Sequence, residues 1–133
     1  MKDILVPVSP GELLDKISIL RIKSARMTDA IKLQNVRWEL ELLEQTWSAS
    51  GAQELLVADD FAHLQKVNEQ LWEIEDQIRD KELTKSFDSE FIELARSVYI
   101  VNDERAMCKK RINVILGSRI VEEKSYRPYK PGS

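Results

Sequence analysis

One cysteine, one histidine, four glycines and four prolines are spread over 133 residues, and each shortage removes a class of explanation. A lone Cys108 excludes an internal disulfide and any cysteine-built zinc cluster. With His63 as the single imidazole, no pattern joins a nucleophile to an activating base and a supporting third group. Scarce glycine and proline disfavour turn-rich β folds. No charged-then-apolar leader and no long apolar run are present, so neither secretion nor membrane insertion is expected, and a reduced cytoplasm is the default setting. The net charge is only −3, with both signs interspersed. Neither nucleic acid nor an anionic membrane finds a basic field here.

What is present favours helix: 32% of residues are charged, and Leu, Ile, Glu and Lys are abundant. The expectation is all-α, one domain over residues 1–133. An extended arm covers 1–8, an antiparallel bundle of about four helices covers 9–117, and an extended or partly disordered tail covers 118–133. The length suffices for a core without metal or disulfide.

The best-specified stretch is Ser9-Pro10-Gly11-Glu12. Ser9 can accept from the Glu12 N–H while the Glu12 carboxylate reaches back, and Pro10 sits where its missing donor costs nothing. Behind this capping box, Leu13, Ile17, Leu20, Ser24, Met27 and Ile31 stay within about 80° of one another at 100° per residue. Leu14, Ile19 and Ile22 fall on other sides. A helix apolar nearly all round belongs at the bundle centre or in a subunit interface. Thr28-Asp29 either breaks it or decorates a longer helix.

A second helix over about 29–47 carries Leu33, Val36, Leu40, Leu43 and Trp47, with Trp38 and Leu42 opposite. The small-residue loop Ser48–Ala52 predicts that the helices on either side fold back on each other. A third helix carries Phe61, Leu64, Val67, Leu71, Ile74 and Ile78, capped by Asp59 or Asp60, with an acidic ridge of Glu69, Glu73, Asp76 and Asp80. Asp88 caps a fourth, over about 89–116, that stops at Gly117. Its main stripe includes Arg105 and Cys108, while Ile100, Met107 and Val114 repeat every seven residues on another side. The β-prone Ile4–Val8 run and Arg119-Ile120-Val121 are candidates to pair.

Three sites can be weighed against plainer readings. Asn102 and Arg105 interrupt an apolar stripe, and a buried guanidinium must meet a carboxylate such as Glu12 or Asp15, reach the surface, or bind an anionic ligand. Glu41 and Glu44, with Glu73 and Asp76, superficially resemble the E-x-x-E and E-x-x-D pattern by which all-α nucleoside triphosphate pyrophosphohydrolases hold magnesium. Their phase opposite the apolar seam, and Leu40 where that family carries glutamate, favour a solvated acidic face instead. The free donors at the start of the first helix, with Ser9, Gly11 and Lys16, could hold an anion, aided by Lys124 or Arg127; the capping side chains compete for those donors.

The blocks SPGELLDKISILRIK, NVRWELELL, FIELARSVYIVNDERAMCKKRIN and GSRIVEEKSY resemble an uncharacterised bacterial family, a domain of unknown function, over most of the chain. The resemblance implies a bacterial cytoplasmic helical protein and carries no catalytic residue across. The residues themselves lead to a non-catalytic assembly module, a homodimer held through Leu14, Ile22, Trp38, Ile100, Met107 and Val114, with no metal or cofactor. A small-molecule enzyme or binder using Arg105 and Asn102 is the alternative.

Overall fold

The structure, a computed structural model, describes residues 1–130, and Pro131-Gly132-Ser133 of the expected tail lie outside the described residues. Among the described residues four α-helices follow one another: α1 (Pro10–Arg26), α2 (Ala30–Ala49), α3 (Ala58–Leu83) and α4 (Ser89–Ile115), with a 3₁₀ turn at Glu54–Val57. No strand occurs among the described residues, so the two arms do not pair. The C-terminal arm runs back along α4 instead, where Lys110 meets Glu123 and Lys124 meets Asp103.

The caps explain the breaks. Asp29 accepts from the Lys32 N–H at 2.9 Å, which ends the question at Thr28: the chain stops at Arg26 and restarts as α2. Asp88 does the same for α4 through the Phe91 N–H at 3.0 Å, and Gly117 leaves that helix with φ +66°. The start of α3 differs from expectation. Its cap is Val57, which makes no side-chain hydrogen bond, and Asp59 and Asp60 sit inside the first turn, where their charge suits the helix dipole.

α1 is the centre. It packs against all three other helices, whereas α2 packs against α1 alone. Eight of its 17 residues are buried, against two in α2 and three each in α3 and α4. Leu13, Leu14, Ile17, Trp47, Val57, Leu64, Cys108 and Ile112 form the core. The hairpin expected across Ser48–Ala52 does not form as a packed pair: the end of α2 and the start of α3 share the core through Trp47 and Val57, but α2 lies along α1 and α3 pairs with α4. The apolar positions on the second side of α1 are also spent internally. Leu14 and Ile22 are buried by neighbouring helices and offer nothing to a second subunit.

Candidate functional site

A polar seam between α1 and α4, with a contribution from α3, contains most of the expected ligand residues. Antiparallel packing sets residues at four-residue spacing on α4 (Arg105, Lys109 and Asn113) against the first turns of α1. Asn113 Oδ1 accepts from the Gly11 N–H at 2.7 Å. Lys109 Nζ lies 2.6 Å from Glu12 Oε2, 3.3 Å from Glu122 and 3.9 Å from Asp15. Arg105 makes a two-pronged pair with Asp15, Nε to Oδ1 at 2.9 Å and Nη2 to Oδ2. Asp15 is only 1% exposed. Asn68 of α3 completes its shell, donating to Asp15 Oδ1 at 2.9 Å and to Ser18 Oγ at 2.6 Å.

Close approach explains Gly11. A Cβ there would run into the Lys109 carbonyl oxygen and come within 2.8 Å of Asn113 Oδ1. The amino end of α1 is thus closed rather than open to an anion: Ser9 is buried and occupies the Glu12 N–H, Asn113 occupies the Gly11 N–H, and Glu12 adds a negative charge. Only half of the capping box forms, because the Glu12 carboxylate turns to Lys109. Lys16 is exposed and takes no part, since one residue beyond Asp15 on a helix points about 100° away.

The charges hold one another in place. Burial pushes the Glu12 carboxyl up, but the hydrogen bond and charge of Lys109 outweigh it and leave it below the ordinary value. Burial pulls Lys109 down, while the Glu12 hydrogen bond and the charges of Asp15, Glu12 and Glu122 carry it above its ordinary value. The Asp15 hydrogen bonds likewise raise Arg105 against burial. No buried side-chain nitrogen or oxygen lacks a partner among the described residues.

Arg105 is nevertheless not sealed, with its side chain 30% exposed. Together with Asn102 it forms the ridge between two clefts. One, of about 460 Å³, lies under the C-terminal arm and is lined also by Lys109, Lys110, Glu122 and Lys124. The other, of about 490 Å³, is bordered by Trp72, Glu75, Asp76 and Arg79. In the first, every lysine is matched to a carboxylate: Lys109 to Glu12 and Glu122, Lys110 to Glu123, Lys124 to Asp103. An anion entering there displaces an existing partner rather than filling a charge deficit.

Two further groupings bear on chemistry. Glu41 and Glu44 lie on α2, Glu73 and Asp76 on α3, and these helices do not pack on each other. Glu44 pairs with Arg21 and Glu73 with Arg26, so one member of each acidic pair forms a surface ion pair with α1, and the two pairs do not converge. Among the described residues no three His, Cys, Asp or Glu side chains are grouped to hold a metal ion. No local pattern joins His63 to Cys108, yet they meet: Cys108 Sγ is 3.4 Å from His63 Nδ1, and His63 Nε2 is 3.7 Å from Glu104. Their separation by 45 positions hides the contact from any local motif. This trio lacks an activated thiolate, because burial first, and then the Asp60 and Glu104 charges, push the Cys108 thiol up.

The outward side of α4 has the opposite character. Met107 is 65% and Val114 66% exposed, with Ile100 also on the surface. On α2, the side away from α1 leaves Trp38 70% exposed, with Ile31 and Leu42 beside it at helical spacing.

A search of curated proteins and a search of solved structures each found no match to this chain. A family model does match, over residues 4–131, and spans both the polar seam and the exposed α4 stripe. The chain therefore belongs to the family described as a family of unknown function, DUF6165.

Proposed function

We propose that this chain is a non-catalytic helical assembly module that self-associates through apolar side chains left on the outside of its bundle. The observation that carries the reading is the heptad-spaced row Ile100, Met107 and Val114 on the outer side of α4, exposed while the same helix buries charge on its inner side. Regular exposed apolar rows of this kind are what helix-to-helix partners cover. Trp38 supplies a second, separate anchor of the residue type that dominates interface energetics. The setting in this reading is a reducing bacterial cytoplasm, where the lone Cys108 thiol stays free.

Sedimentation over a concentration series is the test. A dimer in reversible exchange with monomer is expected, and Met107→Asp should return it to monomer, with the same melting temperature as the unmodified chain when both are melted at concentrations too low for dimer. A monomer at all concentrations up to ~300 µM, where even contacts of only about −5 kcal/mol would show, removes the reading.

One observation favours a second reading, a binder of a small anionic ligand: Arg105, Lys109, Lys110 and Lys124 all line the cleft of about 460 Å³. It requires thermal stabilisation by a phosphorylated or carboxylated metabolite, lost in Lys124→Ala. That variant is the useful one, since removing Arg105 also strips the buried Asp15 of its partner.

A further inference from the structure

Resting on the self-association just proposed, we infer that the partner is a second copy whose α4 crosses this α4 antiparallel at Met107. About that residue the outer side of α4 is symmetric in its apolar positions and opposite in the sign of its charges. Ile100 and Val114 stand seven residues before and after it, Asp103 and Arg111 four, Glu104 and Lys110 three. At about 100° per residue, Ile100 and Val114 lie within roughly 20° of the Met107 direction. Glu104 and Arg111 lie on one flank at about 60° and 40°, and Asp103 and Lys110 on the other at similar angles.

A two-fold axis perpendicular to both helices reverses chain direction and keeps each flank on its own side. Met107 then meets Met107, and Ile100 meets Val114 of the second copy. Glu104 meets Arg111 of the second copy on one flank, Asp103 meets Lys110 of the second copy on the other, and each contact occurs twice. A parallel pair in register swaps the flanks and would instead set Glu104 on Asp103 and Arg111 on Lys110 of the second copy, with like charges opposed along both edges. Flanking charges choose orientation in helix pairs in this way.

The fold leaves this face open. On the Glu104 side the stripe is bordered by α3, through Glu104 to His63 at 3.7 Å and Arg111 to Asp60 at 2.9 Å. On the Asp103 side it is bordered by the C-terminal arm, through Lys124 at 3.5 Å and Glu123 to Lys110 at 3.3 Å. All four of the flanking α4 side chains, Asp103, Glu104, Lys110 and Arg111, are 45% exposed or more. Such surface pairs contribute little and can be shared with, or exchanged for, groups of a second copy. One helix crossing buries less than the roughly 800 Å² per partner of a standard interface, so dissociation on the order of 10–100 µM is expected.

Charge reversal tests the geometry. Asp103→Lys with Glu104→Lys in one chain, and Lys110→Glu with Arg111→Glu in another, each oppose like charges in their own dimer, and each should be monomeric. Mixed in equal amounts they should form a heterodimer, because both flanks become attractive again. Thermal melts of the separate variants confirm that each is folded. Independently, Ile100→Cys chains mixed with Val114→Cys chains should form an interchain disulfide, whereas neither variant should do so alone; native Cys108, 2% exposed, is withdrawn from the surface. If the unmodified chain dimerises but both charge variants remain dimers, or Ile100→Cys cross-links to itself, the antiparallel crossing is overturned while self-association stands. A monomeric unmodified chain overturns both.

Discussion

The two sides of α4 each carry what a surface helix usually keeps on the other. Beside the core residues Cys108 and Ile112, Arg105, Lys109 and Asn113 point inward against α1, while Ile100, Met107 and Val114 point outward. An ordinary amphipathic helix turns its charge to solvent and its apolar stripe to the core. On the inner side, desolvating a guanidinium and an ammonium costs several kcal/mol each, and good pairing roughly offsets that without much surplus. What the seam adds is register. Apolar contacts tolerate sliding, whereas Gly11 with Asn113, Glu12 with Lys109 and Asp15 with Arg105 are satisfied together in only one alignment of α1 on α4. The outer side has no such closure within the chain, and its row of apolar groups gains by being covered.

Breaking the inner side should give the largest effect. Arg105→Leu leaves the 1%-exposed Asp15 without its main partner, and a loss of about 3 kcal/mol in urea unfolding is expected. Asp15→Leu added to it should recover part of that loss, because the orphaned charge is gone. A double variant no more stable than Arg105→Leu alone would show that the pair is more than mutual neutralisation. Next comes Gly11→Ala. Its added methyl group meets the α4 backbone at Lys109, and a loss of about 2 kcal/mol is expected from overpacking, read as a lower denaturation midpoint with an unchanged slope.

The electrostatic part of the seam sharpens the contrast through pH. The Glu12 carboxyl is held below its ordinary 4.5, so its stabilisation is present above that value and is lost as pH falls through the folded value. Lys109 is held above its ordinary 10.5, so its share is complete below that value and fades as pH rises through the folded one. Between these limits the pair contributes a flat plateau. Glu12→Gln should lower the plateau and flatten its acid edge in a pH series of unfolding free energies. The smallest effect belongs to the outer side: Met107→Asp should change stability by less than about 0.5 kcal/mol, since the residue is 65% exposed. A large loss there would mean that the row is structural after all.

Much of the fold was legible along the chain because its signals are local. Ser9, Asp29 and Asp88 cap helices through bonds to residues three positions on, and Gly117 ends one. The enclosed character of α1 followed from apolar residues on several of its sides. The site was legible only in part. Asn102 and Arg105 stood out as polar breaks in a stripe, yet nothing local selected Asp15 rather than Glu12 as the partner of Arg105. Asn68, Lys109 and Asn113 gave no sign of themselves, since a polar residue on a helix normally marks a solvated face. The missed meeting of His63 with Cys108 has the same cause: it depends on how α3 and α4 are aligned.

The order of residues alone determined that this chain forms helices, where α1 and α4 begin and where α4 ends, and that the first is enclosed on several sides, because caps and 3.6-residue periodicity act within a few positions. Only the tertiary structure decided which second apolar face remains outside. Leu14 and Ile22 were consumed by neighbouring helices, while Met107 and Val114 were not. Periodicity states that a face exists; what covers it depends on the angles at which whole helices meet.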